Sequence, residues 1–102
     1  MSAGTVVLKV GGRAAERDEG LLGLAAEMAS MAGGQRFVLV HGGGAEVTAV
    51  SKRLGIEAVF SAGVRQTSAE EMDIVDMVLA GKVNTRVVRL LRTRGLDAVG
   101  VS

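Results

Sequence analysis

Two short apolar runs, Thr5-Val6-Val7-Leu8-Lys9-Val10 and Phe37-Val38-Leu39-Val40, each break into consecutive glycines, Gly11-Gly12 and, after His41, Gly42-Gly43-Gly44. Runs this short, β-branched and nearly uninterrupted are the pattern of strands, and the first reads as a strand buried on both faces. Between them, from about Asp18, the residues Leu21, Leu24, Ala25, Met28 and Ala32 recur at steps of three and four, which gives a helix with one apolar face, and Gly33-Gly34 suits its carboxyl end. Val47, Val50 and Leu54 mark a second helix with Gly55 at the position just past its end. The order strand, helix, strand, helix implies a parallel sheet and an α/β fold.

Further along, Ile56 to Val64 is a weaker extended stretch interrupted by Gly63, expected to be a strand or hairpin outside the core. Thr67 or Ser68, followed three residues later by Glu70 or Glu71, has the form of a capping box that opens a helix. Its buried face would hold Met72, Val75, Val78 and Leu79, and Gly81 would end it. Val83, Val87, Leu90 and Leu91 then predict another amphipathic helix closed by Gly95, and Ala98 to Val101 a new strand.

The chain has 102 residues, 48% of them hydrophobic, which suffices for one globular unit with a core. With Phe37 and Phe60 as the only aromatic residues, that core must be aliphatic, as in parallel sheets flanked by helices. The absence of cysteine rules out a disulfide framework and a thiolate metal site and fits a reducing compartment, so a cytoplasmic location is expected. A net charge of +1 gives no electrostatic reason to expect nucleic acid or a membrane surface as partner. No apolar run approaches the about 18 to 20 residues a membrane span requires, and Met1 to Gly4 lead directly into a strand.

In an open parallel sheet, ligands bind beyond the carboxyl ends of the strands, and both glycine turns belong to that edge. A glycine turn opening a helix offers unobstructed backbone N–H groups and the positive end of the helix dipole, so the place suits phosphate or carboxylate. Lys9, charged within an apolar strand just before the first turn, sharpens this expectation. The familiar phosphate motifs do not fit. Lys82 follows Gly81 but precedes Val83, not Ser or Thr, and Gly42-x-Gly44 has Val47 where a dinucleotide fingerprint needs glycine. His41-Gly42-Gly43-Gly44 also has the form of an esterase oxyanion loop, with Gly100-Val101-Ser102 as the start of a nucleophile turn, but the chain has no second histidine to serve as base. Asp73 and Asp76 read as solvated helix face, not a metal pair. Lys82, Arg86 and Arg89 form a basic stripe without interleaved aromatic residues, and His41 reads as a hydrogen-bonded structural residue, so no metal site is expected.

Along essentially its whole length the chain resembles the acetylglutamate kinases of the amino-acid kinase (carbamate-kinase-like) family. Val7 to Gly12 is similar to that family's first strand and glycine turn, and Val38 to Gly44 to its second. Gly63-Val64-Arg65-Gln66-Thr67 through Met77 to Asn84 is the most specific part. The resemblance implies a three-layer α/β/α sandwich with a mainly parallel sheet, residues 1–102 forming an amino-terminal lobe that binds an acyl-amino acid, without the carboxyl-terminal ATP-binding lobe. It implies ATP, with Mg2+, as co-substrate and N-acetyl-L-glutamate as acceptor in arginine biosynthesis, and a homo-oligomer, dimeric or higher. Lys9 would act catalytically by neutralising charge on the transferring phosphoryl group, Gly11 and Gly12 would bind phosphate, and Gly43, Gly44 and Arg65 would bind substrate. These residues alone would be catalytically incompetent. A kinase-like arginine-sensing domain of an acetylglutamate synthase is the alternative that keeps the fold without the chemistry.

Overall fold

Two parallel strands, β1 (Thr5–Val10) and β2 (Arg36–His41), are joined through helix α1 (Asp18–Met31), with Thr5 opposite Arg36 and Val10 opposite His41. The computed structural model describes residues 4–11, 16–31, 33–57 and 59–102, so Gly12 and Ala32 lie outside the described residues. After β2 come α2 (Gly44–Arg53), an antiparallel hairpin of β3 (Val59–Ser61) and β4 (Val64–Gln66), and a long helix in three parts. These parts are α3 (Ala69–Val75), a π-helical stretch (Asp76–Val83) and α4 (Asn84–Thr93). The α/β class and the parallel sheet expected from the sequence are present.

Alternation along the strands sorts the sheet into two faces. Val6, Leu8 and Val10 share one face with Phe37, Leu39 and His41, and Leu8, Val10, Phe37 and Leu39 belong to the core. On the other face lie Thr5, Val7, Lys9, Arg36, Val38 and Val40, with Val7 65% exposed. The expectation that β1 is buried on both faces is therefore corrected. Among the described residues the helices cover only the first face, and a near-continuous apolar run does not by itself reveal whether its second side is covered. The core itself is aliphatic, as the composition required. Leu21, Ala25 and Met28 of α1 pack with Val47 of α2 and with Ile74, Val78, Val83, Val87 and Leu91 of the long helix.

The long helix departs from the sequence reading in an informative way. Its buried apolar residues, Ile74, Val78, Val83, Val87 and Leu91, are spaced by four, five, four and four. In a regular α-helix a step of five turns the side chain by roughly 140° out of line, which reads as a break between two helices. The π-helical stretch absorbs the extra residue, so the helix runs unbroken through Gly81, the residue expected to end it. A lone interior glycine costs about 1 kcal/mol, which the burial of Val78 and Val83 on either side outweighs. Phase also corrects the predicted buried face: Met72 is 50% exposed, and Ile74 is buried in its place.

The helix ends at Gly55 and Gly95 are as expected. Gly55 and Gly95 adopt positive φ, 78° and 85°, and each closes its helix with the paired hydrogen bonds of a Schellman motif. For α2 these are Ile56 N to Ser51 O at 2.8 Å and Gly55 N to Lys52 O at 3.1 Å. The stretch expected as extended contains β3 and the start of β4, and the two-residue turn of that hairpin places Ala62 and Gly63 at φ 52° and 80°. Ala98 to Val101, expected as a strand, forms no ladder with the described strands, and Val99 and Val101 are over 80% exposed. Without a neighbouring strand to accept its backbone groups, an apolar segment has no reason to hold extended pairing. No helix among the described residues is long and apolar enough to cross a membrane.

Candidate carboxylate-binding site

The second glycine turn leads directly into α2, with Gly43 capping the helix without a side-chain hydrogen bond. Its carbonyl accepts the first helical bond, from Val47 N at 3.0 Å, leaving the amides of the first turn without helical partners, the arrangement that suits an anion. Gly43 is a glycine for a packing reason: a Cβ there would lie 2.5 Å from Leu79 Cδ2 and 3.2 Å from Val83 Cγ2. The π-helical stretch thus presses onto the turn. At Gly11, Gly42 and Gly44 a Cβ would meet nothing within 4 Å, so packing against this chain does not account for those three.

Arg65 is brought to this turn from β4. Its Nη2 donates to the Gly44 carbonyl at 3.2 Å and to the Thr48 hydroxyl, which itself donates to the same carbonyl at 3.0 Å. The guanidinium sits 5.0 Å from the centroid of the Phe60 ring, its cross-strand partner in the hairpin. Nη1 lies 3.5 Å from Glu71 Oε2, with the two side chains 17% and 3% exposed. The structure therefore brings together three of the predicted site residues, Gly43, Gly44 and Arg65. It adds Thr48, Phe60 and Glu71, which the sequence reading missed. Phe60 could have been found by pairing residues outward from the Ala62-Gly63 turn. Glu71 was read as the return half of a capping box. The hydroxyl half does form, with Ser68 accepting from Glu71 N at 3.2 Å, but the Glu71 carboxylate lies against Arg65.

A pocket of about 70 Å³ opens at the turn, lined by Gly42, Gly43, Gly44, Ala45, Glu46, Val83, Arg86 and Glu16. That is room for a few waters, hence for one carboxylate or phosphate oxygen cluster but not for a whole acyl-amino acid. Charge around it is mixed. Lys82 Nζ donates to Glu46 Oε2 at 2.8 Å, and Arg86 Nη1 lies 3.9 Å from Glu46 Oε1. The Lys82 hydrogen bond, aided by the charges of Lys82, Arg86 and Arg53 and opposed by partial burial, holds the Glu46 carboxyl below its ordinary range.

His41 is tied into the fold through both ring nitrogens. Nε2 accepts from Asn84 Nδ2 at 3.1 Å, so the proton belongs on Nδ1, which donates to the Gly42 carbonyl at 2.9 Å. Asn84 in turn faces Gly100, where a Cβ would fall 2.0 Å from Asn84 Oδ1. A histidine engaged in this way is a brace for the turn, not an exposed base. Lys9 lies exposed on the open sheet face, with no hydrogen bond or ion pair among the described residues, and it is not joined to the Gly43, Gly44 and Arg65 group. Gly11 is exposed at the end of β1, and Gly12 lies outside the described residues. A larger, open groove of about 660 Å³ runs along α4 between Asn84, Arg89, Arg92 and Gly100, but Arg92 is already paired with Asp97 and the Ala98 carbonyl.

A parallel β-α-β unit followed by a hairpin and a long helix defines an α/β domain, here with an arginine of the hairpin reaching the second glycine turn. The chain belongs to the amino acid kinase family, whose profile matches residues 4–102. Among curated proteins it is 51% identical over 100 residues to the acetylglutamate kinase of Acidothermus cellulolyticus, covering 96% of this chain and 33% of that protein. It is 46% identical over 99 residues to the acetylglutamate kinase of Syntrophobacter fumaroxidans, with the same 96% and 33% coverage. The chain thus spans about a third of the length of these relatives. Among solved structures, a crystal structure of a Streptococcus mutans UA159 protein superposes with a TM-score of 0.76 at 27% identity, covering 93% of this chain and 38% of that one.

Proposed function

We propose that this chain forms the acyl-amino-acid-binding part of an enzyme that transfers a phosphoryl group from ATP, carried with Mg2+, to the side-chain carboxylate of N-acetyl-L-glutamate, a step of arginine biosynthesis. The observation that carries the proposal is the convergence of Arg65 on the Gly43-Gly44 turn at the amino terminus of α2. A guanidinium and a helix amino terminus within one turn of each other form a concentrated positive end, suited to a substrate bearing carboxylates. The small pocket beside the turn, which Arg65 does not line, has room for one charged group, and the rest of the acyl-amino acid would extend over the open surface toward Arg65.

The transfer forms a bond between a carboxylate oxygen and the γ-phosphorus and breaks the bond from that phosphorus to the bridging oxygen of ADP. A carboxylate is ionised at neutral pH, so no general base is required. Lys9, exposed near the carboxyl end of β1 and without a partner among the described residues, would neutralise charge on the phosphoryl group. The open space at Gly11 fits close approach of a phosphate to the backbone, a role Gly12 would share. ATP bound there would supply the phosphoryl group. The exposed valines of the sheet, Val7, Val38 and Val40, are in keeping with a homo-oligomer, and a cytoplasmic setting agrees with a biosynthetic role.

Equilibrium dialysis of the chain against labelled N-acetyl-L-glutamate and, separately, L-glutamate tests the reading. Retention of the acetylated compound above the free amino acid is expected. Equal uptake of both, or binding of free arginine in preference to either, would reject it, the latter in favour of an arginine-sensing domain.

A further inference from the structure

Arg65 and Glu71 form the most buried ion pair among those resolved here, and its geometry is unusual. The facing atoms, Arg65 Nη1 and Glu71 Oε2, are both buried and neither has a hydrogen-bond partner among the described residues, although they stand 3.5 Å apart. Nη2 is by contrast fully engaged by Gly44 and Thr48. One nitrogen of the guanidinium is therefore anchored to the glycine turn, while the other faces a carboxylate at a distance that gives charge attraction without a well-formed hydrogen bond. Phe60 holds the guanidinium plane from the side. A ligand carboxylate approaching Arg65 meets an edge already occupied by a like charge.

We propose that Glu71 is a built-in counter-ion that occupies the free edge of Arg65 and competes with the ligand carboxylate for it, so that this side chain sets how tightly the site holds its substrate. The inference rests on the reading of Arg65 as the carboxylate-binding residue. Glu71 is on this view a specificity-determining residue, because its charge repels a second carboxylate brought to the same guanidinium. Glu71→Gln keeps the shape and removes the charge. Arg65 remains tied by Gly44, Thr48 and Phe60, which do not involve the substituted group.

Two measurements decide the matter. Calorimetric titration of N-acetyl-L-glutamate is expected to give about tenfold tighter binding to the Glu71→Gln chain than to the unmodified one, with Glu71→Asp staying near the unmodified affinity. Unchanged or weaker binding by Glu71→Gln would overturn the proposal, as would a preference for L-glutamate that Glu71→Gln abolishes, since Glu71 would then be holding a ligand ammonium. The second measurement needs no ligand: modification of Arg65 by phenylglyoxal, followed by peptide mass mapping, should run several-fold faster in Glu71→Gln than in the unmodified and Glu71→Asp chains. Equal rates would overturn the proposal even if the chain binds no acyl-amino acid. Faster modification without any ligand binding would leave the counter-ion in place and reject the substrate instead.

Discussion

Replacing Gly43 by alanine probes the contact that shapes the candidate site. The added Cβ would stand 2.5 Å from Leu79 Cδ2 and 3.2 Å from Val83 Cγ2, so something must yield. Leu79 Cδ2 is the far end of a flexible, partly buried side chain, and swinging it off its rotamer costs about 1 kcal/mol. Val83 is β-branched and 3% exposed, with little room to move, and relieving 3.2 Å needs a shift of helix or turn that adds about as much again. The expected loss is about 2 kcal/mol, which lowers the melting temperature of a domain this size by about 10 °C. Thermal unfolding followed by circular dichroism measures it, with Gly44→Ala as a control that should lie within about 0.5 kcal/mol because its Cβ meets open space. Adding Leu79→Ala to Gly43→Ala should recover about 1 kcal/mol relative to the sum of the two single changes. A neutral Gly43→Ala, or a double substitution additive within about 0.5 kcal/mol, would refute the close packing of the π-helical stretch on the turn.

Two further outcomes follow from the geometry. Ala62→Asn, by supplying the Asn-Gly pair preferred where both turn residues have positive φ, should raise stability by about 0.5 to 1 kcal/mol, measurable by urea unfolding; a loss would mean the turn is not of this type. Because the Glu46 carboxyl is held below its ordinary range when folded, the Lys82 pairing contributes stability that is fully present above the unfolded value near 4.5 and fades as pH falls through the lower, folded value. The contribution is under about 1 kcal/mol, since Lys82 is half exposed, and Glu46→Gln should flatten the acid limb of the stability curve as pH falls below the unfolded value; an unchanged limb would contradict the pairing.

What was legible in the sequence was whatever rests on local pattern. The strand-glycine repeats placed β1, β2 and the start of α2, and single glycines with positive φ marked the ends of α2 and α4. Arg65 could be singled out from its motif, yet its surroundings could not, because Thr48, Phe60 and Glu71 reach it from three different elements. The long helix was misread at Gly81 because its five-residue step from Val78 to Val83 is indistinguishable, in periodicity alone, from a helix break. Only packing against Gly43 and the core shows that the chain widens there instead of stopping. Burial of a strand on its second face is likewise a tertiary property, and the exposed Val7, Val38 and Val40 show that an apolar run states a capacity for burial, not its fulfilment.

Binding of a ligand carboxylate where Arg65 meets the second glycine turn can be observed by nuclear magnetic resonance with isotope-labelled chain titrated with N-acetyl-L-glutamate. The largest shifts are expected on the backbone amides of Gly43, Gly44 and Ala45 and on the Arg65 side-chain Nε–H, and Arg65→Ala is expected to remove them. Shifts concentrated instead along the groove of Thr85, Arg89 and Arg92 would contradict it and move the binding site to the outer face of α4.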